Sequence, residues 1–73
     1  MNKYKTQNLY EASYLLTKGF SLAGKEQAGN KVVVLFEGED IQGEAMKFYN
    51  GGRVNAKLFC DNYRTMKDYI FER

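Results

Sequence analysis

Val32-Val33-Val34-Leu35-Phe36 constrains this chain more than any other segment. Five consecutive apolar residues, mostly β-branched or aromatic, read as a buried strand. Val32, Val34 and Phe36 point one way while Val33 and Leu35 point the other, so both faces want cover. With 73 residues in all, that cover has to come from few elements. A chain this short buries only about 60 % of the surface its unfolded form exposes, which leaves marginal stability. Small domains often compensate with a disulfide, a metal or a second copy of themselves. Cys60 is the single cysteine, so no intrachain disulfide forms. The chain has no histidine, which removes the commonest partner of cysteine in metal sites and the commonest general acid or base. Oligomerisation remains, and a homodimer built on the uncovered strand face or its hairpin is the expectation.

The rest of the chain arranges itself around that strand. Leu9, Ala12, Ser13 and Leu16 share one face of a first helix, read from Gln7 to Lys18. Thr6 or Asn8 caps it, with Glu11 placed as in a capping box, and Gly19 ends it, with Phe20 packing back on Leu15. Phe20 to Glu26 reads as a strand, Gln27-Ala28-Gly29-Asn30 as a turn and Lys31 to Glu37 as the second strand of a hairpin. Gly38-Glu39-Asp40 opens a second helix with Ile41, Ala45 and Phe48 on its buried side. Gly43 in its interior costs roughly 1 kcal/mol relative to alanine, making it the weakest helix. Asn50-Gly51-Gly52 stops it. Asn55 caps a third helix, with Val54 and Phe59 as a hydrophobic staple and Phe59, Tyr63, Met66 and Ile70 as its core stripe. The fold class is α+β, a β-hairpin with three helices in the order α-β-β-α-α. Residues 1–73 form a single small domain with a short basic amino-terminal arm containing Lys3, Tyr4 and Lys5.

Leu9-Tyr10-Glu11-Ala12-Ser13-Tyr14-Leu15-Leu16 followed by Gly19-Phe20 resembles a small uncharacterised family of bacterial and phage proteins. So do Val33-Val34-Leu35-Phe36-Glu37, Tyr49-Asn50-Gly51 and Val54-Asn55-Ala56. The resemblance covers nearly the whole chain, and its motifs are caps, glycine stops and core positions. It carries no functional residue across. What it implies is context, a phage or prophage accessory protein.

Several clusters invite a chemical reading. Gly52, Arg53 and Lys57 surround the start of the third helix, where free N–H groups attract anions. Without the spacing of a P-loop or dinucleotide fingerprint, a helix stop, a turn and a solvated arginine explain them more simply. Glu37, Glu39, Asp40 and Glu44 lack the alternation of a calcium loop, and carboxylates favour a helix start on electrostatic grounds alone. No metal or cofactor is expected. Cys60, at the edge of the core stripe and with no histidine to activate it, reads as a partly buried, inert thiol. Eleven Lys and Arg against nine Asp and Glu give a net charge of only +2. The solvent stripe Lys57, Asp61, Arg64, Asp68 and Glu72 alternates in sign, so it would repel phosphates as often as attract them.

Tyr10 and Tyr14 lie one turn apart on the first helix, with Lys18 a turn further and Tyr4 in the adjacent arm. Tyrosine is enriched in protein interfaces because it offers apolar area and a polar tip. The rim of the core is the simpler role for Tyr10 and Tyr14, and if the protein acts by engaging a partner this strip is the expected protein-binding surface. The expectation is a non-catalytic interaction module, a phage-type accessory factor or inhibitor that occupies a host protein. A small nucleic-acid-binding regulator is the alternative. The apolar run is far too short to span a bilayer, and the basic amino terminus leads into no signal-peptide core. A cytoplasmic location with no membrane partner follows as the expectation.

Overall fold

The computed structural model describes residues 3–71; Met1 and Asn2 of the arm, and Glu72 of the third-helix stripe, lie outside the described residues. The elements are β1 (Lys3–Thr6), α1 (Leu9–Thr17), β2 (Ser21–Ala28), β3 (Lys31–Glu37), α2 (Ile41–Tyr49) and α3 (Ala56–Phe71). The α+β class and the helix-strand-strand-helix-helix order are as the sequence indicates. The difference is β1. The expected basic arm is a strand, paired antiparallel with β3 from Lys3↔Glu37 to Thr6↔Val34. The hairpin is therefore two thirds of an antiparallel sheet in the order β1-β3-β2. The apolar run sits in its central strand, with Val34, Leu35 and Phe36 paired on both sides and Val32 and Val33 paired with β2.

Register sorts the side chains. Tyr4, Thr6, Val34 and Phe36 share the face that meets the helices, since Tyr4 opposes Phe36 and Thr6 opposes Val34. Val34 and Phe36 join Ala12, Leu15, Ile41, Ala45 and Met66 in the core. On the outer face Lys5 opposes Leu35 and Glu26 opposes Val33. A Lys5–Glu26 ion pair at 3.8 Å thus spans β3, and Val33 is left only 8 % exposed. Long charged side chains covering apolar surface with their stems give that face its cover.

Local signals place the helices. Asn8 caps α1 by accepting from the Tyr10 and Glu11 N–H groups. Glu11 does not close the expected capping box. Its carboxylate turns toward Thr6 and Tyr4, and the Asn8 N–H donates to the Thr6 hydroxyl instead. At the other end the Gly19 N–H donates to Leu16 and the Phe20 N–H to Leu15. With Gly19 at φ 95° this is the double bond pattern of a Schellman cap. The β2–β3 turn is tighter than expected, because Ala28 pairs with Lys31 and only Gly29 and Asn30 remain in the loop. A bulge between Leu22 and Gly24 interrupts β2. Asn55 caps α3 through its side-chain oxygen, which accepts from the Leu58 N–H.

Candidate functional site

Burial divides the predicted strip. Tyr14 is only 2 % exposed, with its ring against Phe48 at 5.5 Å between centroids. It is a core residue, and it cannot offer its ring to a partner in this fold. The reason is that α2 lies across that side of α1. Burial, then the Glu44 charge, raises the pKa of its phenol, and the hydroxyl has no hydrogen-bond partner among the described residues. Tyr4 is also committed internally, its hydroxyl donating to Glu11 at 2.8 Å. Lys18 is exposed, with its ammonium 5.5 Å from the Tyr14 ring centroid. Of the three tyrosines only Tyr10 is open, at 57 % exposure.

Tyr10 meets a residue that belonged, in sequence, to the core stripe. Its ring stacks on Tyr63 at 5.2 Å and 17°. Around the pair, Phe59, Cys60, Arg64 and Lys67 complete a surface cleft of about 450 Å³. Positions 60, 63, 64 and 67 recur at helical spacing, so α3 presents all four along one side. Cys60 is exposed, where a partly buried thiol was expected. Position 59 turns toward the core and position 60, about 100° further round, turns into the cleft. A second cleft of about 330 Å³ lies further along α3, where Leu9, Val32, Ile70 and Phe71 meet the Gly29–Asn30 turn region.

The other candidate clusters disperse. The Gly52 N–H donates to the Lys47 carbonyl at 2.7 Å, so it is not free for an anion. A Cβ at Gly52 would fall within 3.0 Å of the Lys47 oxygen and into the Tyr14 phenol, so glycine is needed there for close packing. Lys57 pairs with Asp61 at 3.0 Å. Arg53 lines a separate shallow cleft beside Lys18, a juxtaposition that sequence distance conceals. In the acidic cluster Glu44 pairs with Lys47 at 3.1 Å. Among the described residues no three of Asp, Glu and Cys come close enough to share a metal ion. None of the described helices is long and apolar enough to cross a membrane.

A family model described as a domain of unknown function, DUF5659, matches residues 1–72. The chain belongs to this family. Membership agrees with the resemblance to an uncharacterised family. The DUF5659 description names no activity, ligand or partner. No curated protein and no solved structure matches the chain.

Proposed function

We propose that the protein acts by binding, not by catalysis, and that its contact surface is the α1–α3 face centred on Tyr10 and Tyr63. The observation that carries this reading is the half-exposed Tyr10 ring held flat on Tyr63. A ring ordered on one side and open on the other has already lost much of the side-chain freedom that docking would cost. Aromatic residues of this kind dominate binding energy at protein interfaces. The partner is a second protein. In the phage or prophage setting implied by the resemblance, such a surface serves to occupy a host protein.

The alternative, a small nucleic-acid regulator, draws on the same face, since stacked tyrosines flanked by Arg64 and Lys67 also suit a single strand. A steep fall of affinity with salt toward an oligonucleotide favours that alternative.

The test uses the partner that copurifies from a host lysate. Tyr10→Ala is expected to weaken its binding by about 1–3 kcal/mol with little change in melting temperature. Tyr14→Ala, by contrast, removes a core ring and should cost about 3–5 kcal/mol of stability, so any loss of binding there reports unfolding. Unchanged affinity in a folded Tyr10→Ala protein removes this face from the function.

A further inference from the structure

We propose that the α1–α3 face receives an acidic, apolar-rich segment of another protein, with carboxylates on Arg64 and Lys67 and an apolar side chain in the cleft beside Ile70 and Phe71. The proposal rests on the reading of that face as the contact surface and names the chemistry of what it contacts.

Charge supplies the first argument. Arg64, Lys67 and Lys31 are the charged side chains lining the two clefts, and all are basic. The ion pairs among the described residues join Lys5 to Glu26, Lys47 to Glu44 and Lys57 to Asp61. None of them occupies a cleft cation. Lys18 and Arg53 meet in a separate cleft, but the α1–α3 face is where cations line clefts together with the exposed rings of Tyr10 and Phe71.

Shape supplies the second. Lys67 and Ile70 are three residues apart on α3, so the clefts adjoin one turn from each other. From Cys60 to Phe71 the helix rises about 16 Å, the length of about five residues of extended chain. Tyr10 and Phe71 are 57 % and 67 % exposed toward solvent. The walls of the second cleft include Leu9, Val32 and Ile70, which suit an aliphatic or aromatic side chain. A nucleobase is itself aromatic and stacks on tyrosine, so the discrimination rests on charge: two lysines and an arginine offer the successive phosphates of a strand few contacts.

A fluorescein-labelled peptide alternating glutamate and leucine around a central phenylalanine serves as the probe, read by anisotropy. A lysine-for-glutamate version and an oligothymidine strand are its comparisons. Because Cys60 is exposed and lines the first cleft, its rate of alkylation reports occupancy there. The acidic peptide should bind and slow alkylation. The Arg64→Glu, Lys67→Glu double variant should weaken it about tenfold or more. Lys57→Glu, outside the clefts, should leave it unchanged. Equal binding of the lysine peptide, an unchanged alkylation rate or no binding of the acidic peptide overturns the proposal. Tighter binding and better protection by oligothymidine overturns it in favour of nucleic acid. If the acidic peptide fails while the copurified partner still depends on Tyr10, the contact face stands and the chemistry inferred for its partner falls.

Discussion

Glu11 is 2 % exposed, and its carboxylate accepts from the Thr6 hydroxyl at 2.5 Å and the Tyr4 hydroxyl at 2.8 Å. A buried carboxylate survives only when hydrogen-bonded, and here its donors come from β1. One residue of α1 therefore ties down the strand that completes the sheet. The same contact acts on Tyr4, whose pKa is pushed up from 10.0 to about 12, first by burial, then by the hydrogen bond to Glu11 and that carboxylate's charge. A folded-state pKa above the unfolded value means that folding favours the protonated phenol. Its contribution to stability is complete below pH 10.0 and is lost as the pH rises toward about 12. The gap in melting temperature between the wild type and Tyr4→Phe should therefore be constant below pH 10.0 and narrow above it. A gap that persists unchanged into strong alkali would show that the phenol is not held by Glu11.

At the scale of elements, α2 carries two local conflicts that belong together. Asp40, its N-cap, sits at φ 55° and makes no capping hydrogen bond through its side chain. Gly43 leaves the space into which the Asp40 carboxylate folds, since a Cβ there would lie 2.7 Å from one carboxylate oxygen. The ordinary gain of about 1 kcal/mol for glycine to alanine inside a helix should then be absent in Gly43→Ala. Asp40→Gly relieves the left-handed backbone and vacates the space. The double variant Asp40→Gly, Gly43→Ala should be more stable than the sum of the single changes, by about 1 kcal/mol in urea denaturation. Strict additivity would mean that the two residues do not share the space. Helix ends were legible from sequence because they depend on residues close in the chain: Asn8, Gly19 and Asn55 perform the roles their types suggest. β1 was not. The alternation Lys3-Tyr4-Lys5-Thr6, with strand-favouring Tyr and Thr on one side, was its one signal, and four residues is too short a run to outweigh a basic arm.

For the molecule as a whole, the expectation of a homodimer rested on a hairpin with an uncovered apolar strand. That rationale changes with β1 paired to one edge of β3 and the Lys5–Glu26 pair across its outer face. The sheet has two edges: β1 is only four residues long and carries Lys3 and Lys5, and β2 is protected by its bulge and by Lys25, which turns inward to lie 4.5 Å from the Tyr69 ring centroid. Bulges and inward-pointing charges are devices that discourage edge pairing. Light scattering at tens of micromolar should therefore give the mass of one 8.4 kDa chain. A mass of twice that value would restore the dimer and point to the outer sheet face.

What the sequence by itself determined is what depends on neighbours along the chain. Periodicity marked the core face of α1, the two-sided burial of Val32–Phe36 and the stripe that puts Met66 at the centre of α3's contact. Side-chain chemistry marked the caps. What only the tertiary structure decided is which long-range faces meet. Tyr10 and Tyr14 are equivalent in type and one turn apart, yet α2 buries Tyr14 while α3 leaves Tyr10 open on Tyr63. Cys60, Arg64 and Lys67 join that surface for the same reason. Spacing along one helix fixes the angle between side chains, whereas exposure depends on where the other helices pack, and that is set by the summed burial of the whole core.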